Sequence, residues 1–293
     1  MPRENLVHDI SHENTNQGAD NTIGKLLIDA GKIQIHDVEK IIHFQQDEGL
    51  RFGEAALSLG LIDAEDLRHT LAKQYDYAYL SDDSEQFSKE LIAGYSPFSP
   101  EAEVFRAVRS HLSLRWFNRE HRAISIVSAG AGDGRSYFIA NLGVVFSQFG
   151  ERTLIIDADL RGSRQHQIFN TQNETGLSSV LAGRVEDAVI EELSTFPNLC
   201  VLPAGPEPPN PQELLGRKKF VSLLDKLAKE FDVILIDTPA MELCSDAKIV
   251  ASRSRGAVVM AKKGHTRVAT IRDFVKDLAG MDVEVAGSVL NTY

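Results

Sequence analysis

From His121 to its end, the chain alternates short apolar runs with longer stretches of helical periodicity. The runs lie at residues 123–127, 153–156, 199–203, 233–236, 256–261 and 285–290, and most are rich in Val, Ile and Leu. Runs apolar at nearly every position, rather than every second one, predict strands buried on both faces. The segments between them are long enough for helices, the first over residues 135–149. Strand alternating with helix predicts an α/β fold, a mostly parallel sheet with helices on both faces. Ligands of such sheets sit beyond the C-terminal strand ends, and the polar motifs of this chain fall there.

The first third has a different rhythm. Residues 1–21 are rich in Asn, His, Asp and Glu, and their polarity predicts a disordered tail. Residues 22–79 contain a repeat with a constant offset of 29, pairing Gly24 with Gly53, Gly31 with Gly60, Asp37 with Asp66 and Gln45 with Gln74. Each copy predicts a short helix (24–30, 53–59), a glycine stop and a longer helix (35–46, 64–75). Asp63 is a suitable N-cap for the last of these, with Asp66 at its third position. A small N-terminal all-α domain follows. Residues 80–100 carry Ser, Asp, Gly and Pro with little periodicity and predict a linker. A basic helix over 100–117 then opens a second domain spanning 101–293. It places Glu103, Arg106 and Arg109 on one face, beside the apolar stripe of Val104, Val108 and Leu112.

Composition narrows the function. The chain has 293 residues, 43% of them apolar, enough for a proper core. Its net charge of −11 argues against general nucleic-acid binding. Two cysteines, Cys200 and Cys244, lie far apart, which predicts a reducing compartment with neither disulfide framework nor zinc cluster. Residues 1–21 hold no signal-type apolar core, and no stretch approaches eighteen apolar residues. The expectation is a cytoplasmic protein, peripheral at the inner membrane only through a partner.

The chemistry centres on residues 128–136, directly after the first predicted strand. Gly130, Gly132 and Gly134 let backbone N–H groups converge on one anion. The helix beginning near Gly134 adds its positive dipole end, and Ser136 is placed to ligate Mg²⁺. Ala129, Gly134 and Ser136 fit the phosphate-loop pattern, but Arg135 stands where that pattern has lysine. Two other strand ends supply acids: Asp157 with Asp159, and Asp237. One such aspartate is often a helix cap. Three beside a phosphate loop predict a Mg²⁺–nucleotide site, because hard cations prefer carboxylate and phosphate oxygens.

These three motifs resemble the Walker-type motifs of bacterial tyrosine kinases, P-loop proteins that regulate exopolysaccharide and capsule chain length. The resemblance covers about residues 100–293. Supporting pieces are Gly176-Leu177 through Leu181 and Gly183, then Pro203 and Gly205 followed by Asn210, Pro211, Glu213, Leu214 and Leu215, and Gly287 through Asn291. Glu103, Arg106 and Arg109 match the helix through which that family assembles into rings. The resemblance implies ATP and Mg²⁺ as cofactors. It implies nucleotide contacts from Ala129, Gly130, Gly132, Asp133, Gly134, Arg135, Ser136 and Tyr137, with Asn291 near the adenine. It gives the metal to Ser136, Asp157, Asp159 and Asp237, and catalysis to Asp157 and Arg135. It further implies a homo-oligomeric ring and a separate membrane activator of the polysaccharide co-polymerase type.

Arginine keeps the lysine's charge and can fork onto phosphate oxygens, but its head is larger and planar. Binding is expected to survive and transfer to slow. Tyrosine autokinase, catalytically weakened ATP-binding regulator of the same machinery, and MinD/ParA-like ATPase therefore stay open. The loops of the last group carry an early extra lysine, which 128–136 lacks. The kinase family also has a tyrosine-rich tail, whereas here Tyr293 stands two residues after Asn291.

The N-terminal repeat resembles the two halves of the N-terminal domain of type II secretion and pilus ATPases, some of which bind cyclic di-GMP through paired arginines. Arg51 fits that position in the second half, but Thr22 occupies it in the first. A helical docking module is favoured over a cyclic di-GMP site. His166 reads as structural, and Trp116 as core or ring interface.

Overall fold

The structure, a computed structural model, describes residues 23–74, 77–81 and 83–292. The expected tail over 1–21, Thr22 and Tyr293 lie outside the described residues. The chain divides into two compact units, Met1–Tyr77 and Ala78–Tyr293.

The first unit contains α1 (Ile23–Asp29), α2 (Ile35–Glu48), α3 (Phe52–Ser58) and α4 (Ala64–Gln74). Leu27, Ile33, Ile41, Ala55, Ala56 and Ile62 form its core. The repeat recurs in the helix starts. The Gln34 N–H donates to Asp37 Oδ2 at 3.0 Å. At the equivalent place Asp63 N–H donates to Asp66 Oδ2 at 3.4 Å, and Asp66 N–H returns a bond to Asp63 Oδ1 at 2.8 Å. Both pairs satisfy backbone donors that a helix start leaves over.

The second unit contains α5 (Ile92–Tyr95), α6 (Pro100–Arg115), β1 (Ala123–Ser128), α7 (Arg135–Gln148), β2 (Thr153–Asp157), α8 (Gln165–Ile168) and α9 (Leu177–Ala182). It continues with β3 (Glu191–Glu192), β4 (Leu199–Leu202), α10 (Pro211–Gly216), α11 (Lys218–Leu227), β5 (Val233–Asp237), α12 (Asp246–Ser254), β6 (Gly256–Lys262), α13 (Val268–Ala279) and β7 (Glu284–Asn291). The strands form one sheet in the order β3-β4-β2-β5-β1-β6-β7. All neighbours are parallel except β3, which joins β4 antiparallel. Two polar residues give β3 no apolar run, so the sequence pattern does not reveal it.

Alternate strand residues build the two sides of the core. Ile155, Leu199, Val201, Val233 and Leu235 pack with Phe138, Leu142 and Phe146 of α7. Leu154, Ile156, Cys200, Leu202, Ile234 and Ile236 pack on the opposite side with Leu214, Phe220 and Leu224 of α10 and α11. Helix α7 is buried nearly all round, from Phe138 to Ser147, so the phosphate loop before it rests on a fixed support. Trp116 ends α6 in the core, 1% exposed, with its indole N–H donating to Ala123 O at 3.1 Å.

The linker expected over 80–100 is not a free tether. Leu80, Phe87, Leu91, Ala93 and Tyr95 are buried in the core that α7 shares. The side chains of α7 hold its backbone: Asn141 Oδ1 accepts from Ala93 N–H at 2.8 Å, and Asn141 Nδ2 donates to Glu90 O at 2.9 Å. Gln148 Nε2 donates to Ala78 O at 2.8 Å and Ala93 O at 3.1 Å. The apolar residues lack a period because they dock one at a time instead of along a helix or strand.

Candidate functional site

Strand order brings the three motifs to one place. β5 lies between β1 and β2, so the loop after β1 and the acids ending β2 and β5 share one end of the sheet. Asp157 and Asp237 are register partners on adjacent parallel strands. Both are fully buried.

The phosphate loop is tied down by its own side chains. Gly134 has φ 96°, in the left-handed region, and a Cβ there would lie 2.5 Å from Asn291 Nδ2. Only glycine fits this turn while Asn291 donates to Asp133 O at 3.0 Å. The buried Asp133 carboxylate accepts from Gly130 N–H at 3.1 Å and Thr266 Oγ1 at 3.1 Å, with His265 Nδ1 at 3.4 Å. Ala131 N–H donates to Glu242 Oε1 at 2.7 Å. Glu242, His265 and Thr266 stand outside every motif, and no sequence signal marked them.

Arg135 is turned into this framework. Its Nε donates to Thr238 O at 2.7 Å and its Nη1 to Gly130 O at 2.9 Å, with a further bond to Ser128 Oγ. The guanidinium thus braces the loop against the end of β5. Tyr137 packs edge-on against Phe105, with ring centroids 5.9 Å apart. Tyr137, Gly134, Asn291, Ile92 and Ser99 border a cavity of about 580 Å³ on one side of the loop. A second, of about 400 Å³, lies against Ala129, Gly130, Glu242 and His265.

The acids differ in setting. Asp157 accepts three backbone N–H bonds, from Asp159 at 3.1 Å and from Arg164 and Gln165 at 3.0 Å each. Burial nonetheless pushes its carboxyl well above the usual carboxylate range, and the charge of Asp237 adds to the rise. Asp237 is also raised by burial, against the opposing pull of hydrogen bonds from Gln165 and Ser136 and the charge of Arg135. Asp159 is half-buried, and its Oδ1 accepts from Arg161 N–H at 3.2 Å and Gly162 N–H at 2.8 Å. The structure therefore bonds Ser136 to Asp237, sets Asp157 beside Asp237 in register, and gives Asp159 Oδ1 to the adjoining turn. Arg161 Nε pairs with the buried Asp246 at 2.9 Å. Gln165, absent from the expected site, donates to Asp237 Oδ2 at 2.7 Å.

This donor set suits Mg²⁺ better than a cation needing a full protein cage. Mg²⁺ takes one or two carboxylates, keeps several waters and shares phosphate oxygens. Among the described residues no three His, Cys, Asp or Glu side chains close into a cage. Buried Gln165 Oε1 has no partner among the protein groups, which leaves an acceptor for a donor such as metal-bound water.

Glu103, Arg106 and Arg109 share α6, as their spacing implied. Arg106 bonds Glu103 and Pro97 O. Arg109 donates to Val145 O at 3.1 Å and stands 4.4 Å over the Phe149 ring. In the first unit, Arg51 N–H donates to Glu54 Oε2 at the start of α3. The cyclic di-GMP expectation has no support there or in the comparisons below. No described helix is long and apolar enough to cross a membrane.

Fold and site together define a P-loop nucleotide-binding protein. The AAA domain family model matches residues 121–275. Tyrosine-protein kinase YwqD of Bacillus subtilis (strain 168) is 32% identical over 206 residues, covering 70% of this chain and 87% of that protein. The kinase domain of Escherichia coli tyrosine kinase ETK superposes with a TM-score of 0.66 at 28% identity, over 74% of this chain and 85% of that one. The Pyrococcus furiosus cell division ATPase MinD aligns at 30% identity and TM-score 0.52, over 59% of this chain and 72% of that one. The chain belongs to the bacterial tyrosine-protein kinase family.

Proposed function

We propose that the second unit binds Mg²⁺–ATP across its phosphate loop and transfers the γ-phosphoryl group to tyrosine. The observation that carries this reading is the register pairing of Asp157 with Asp237 beside Ser136, at the helix start that ends the loop. The loop N–H groups and the dipole of α7 would hold the phosphates, and the 580 Å³ cavity beside Tyr137 and Asn291 would take the base. Ser136, Asp157 and Asp237 would hold Mg²⁺, with Asp159 at the edge. When bound, Mg²⁺ supplies charge neutralisation at the phosphates.

In the transfer, the tyrosine oxygen bonds to the γ-phosphorus, the bond to ADP breaks, and Asp157 takes the hydroxyl proton. Burial raises its carboxyl above the usual carboxylate range, which makes it a stronger proton acceptor than an exposed aspartate. Most of the acceleration then comes from positioning and charge stabilisation. The test is incubation with labelled ATP and Mg²⁺ followed by phosphotyrosine detection. Nucleotide binding without phosphotyrosine would sink the kinase reading.

A second reading, an ATP-binding regulator with weakened catalysis, has one specific support. Arg135 spends three donor contacts on Thr238 O, Gly130 O and Ser128 Oγ, where the family's lysine reaches phosphate. Either way, the family resemblance points to exopolysaccharide production as the process served, with a separate membrane activator. It also points to self-assembly through Glu103, Arg106 and Arg109. Light scattering of a double Arg106→Ala, Arg109→Ala variant checks the assembly, and unchanged particle mass would refute it.

A further inference from the structure

One residue outside the three motifs touches all of them. Gln165 opens α8, the four-residue helix after the β2 acids, and is fully buried. Its side-chain Nε2 donates to Asp237 Oδ2 at 2.7 Å and to Ser136 O at 3.2 Å. Its backbone N–H donates to Asp157 Oδ2 at 3.0 Å. The amide's orientation follows from these partners, because the reverse would set its oxygen against both a carboxylate and a carbonyl. The two hydrogens of Nε2 are thereby committed, and Oε1 remains buried without a protein partner.

We propose that Gln165 is a positioning residue for the cation half of the nucleotide site. Resting on the Mg²⁺–ATP reading, the inference gives it two tasks. Through Nε2 it fixes the plane of the Asp237 carboxylate relative to the loop, as outer partners of metal ligands do. Through Oε1 it accepts a hydrogen bond from a water of the Mg²⁺ shell. Mg²⁺ retains several such waters, and all of them are donors. A buried acceptor is costly to leave bare, so Gln165 links cation arrival to the completion of its own hydrogen bonds. A side chain that merely filled space would need neither the donor nor the acceptor.

The test uses the full chain, a fluorescent ADP analogue and a Mg²⁺ titration. Gln165→Met keeps the side chain's length and removes both polar atoms. It is expected to raise the Mg²⁺ concentration giving half-maximal enhancement of ADP binding by about tenfold. Metal-free ADP affinity, which rests on the loop, should stay within about twofold of wild type. An unchanged Mg²⁺ requirement would overturn the proposal. So would an equal loss of metal-free and Mg²⁺-dependent binding, which marks a structural role alone.

Gln165→Glu supplies a second measurement if the methionine variant folds poorly. It sets a negative charge against Asp237, so Mg²⁺–ADP should raise its melting temperature more than that of wild type. A smaller or equal rise contradicts the inference. If wild-type ADP affinity ignores Mg²⁺ altogether, the failure lies with the Mg²⁺–ATP reading itself, and the role of Gln165 falls with it.

Discussion

Arg135 Nε donates to Thr238 O at 2.7 Å, tying the first residue of α7 to the residue that follows the β5 aspartate. The same guanidinium holds Gly130 O at 2.9 Å. An arginine so engaged has exchanged reach for bracing. A lysine, with one compact ammonium on a flexible stem, cannot hold three such acceptors in one plane and is free to follow a phosphate. Arg135→Lys should therefore raise the rate of phosphoryl transfer by about tenfold or more, roughly 1.4 kcal/mol of barrier. ADP affinity should change by less than the rate. Single-turnover kinetics with labelled ATP checks this, and an unchanged rate would show that Arg135 is not what limits the chemistry.

Gly134→Ala should damage the loop from two directions. The new Cβ would meet Asn291 Nδ2 at 2.5 Å, and φ 96° strains any residue with a Cβ. We expect a loss of about 1–3 kcal/mol in urea unfolding together with weaker ADP binding. Wild-type stability in this variant would mean that Asn291 does not lock the turn.

Asn141→Leu tests whether residues 80–100 belong to the second unit. The substitution strands the Ala93 N–H and the Glu90 carbonyl, both held by Asn141. A cost of about 2–4 kcal/mol is expected for breaking such a buried network. Limited proteolysis should then cut within 80–100 in the variant and spare it in the wild type. Equal cutting in both would return the segment to a linker.

The buried acids set a pH dependence. Asp157 and Asp237 are raised above the usual carboxylate value in the fold. The folded chain therefore holds more protons than the unfolded chain above the ordinary carboxylate pKa. Without metal, this pair's contribution to stability falls as pH rises through that window. A bound cation displaces the proton, so the melting-temperature gain from Mg²⁺–ADP should be larger at about pH 7.5 than at about pH 5.5. Equal gains would contradict the shifts.

Much of this was legible in the sequence, for identifiable reasons. Strands such as 153–156 and 233–236 are apolar throughout because both faces are covered. The phosphate loop and the acids stood out because their chemistry needs particular residue types at strand ends. Gln165 gave no such signal, because a glutamine after a loop is ordinary until the fold sets it against Asp237. Glu242 and Thr266 reach the loop from distant segments, 111 and 133 positions from their partners, separations that no local pattern records. The resemblance implies Asp159 among the metal acids, and the fold adds what no motif states, that its Oδ1 caps the turn at Gly162. The segment over 80–100 misled because irregular backbone held by side-chain amides leaves no periodicity behind.

The most direct test is phosphotyrosine formation by the purified chain with Mg²⁺ and labelled ATP, alongside Arg135→Lys and Asp157→Asn. Slow incorporation on tyrosine is expected from the wild type and faster incorporation from the lysine variant. None is expected from the asparagine variant, with nucleotide binding kept in all three. Absence of phosphotyrosine from the wild type, while ATP still binds, would contradict the tyrosine-kinase reading.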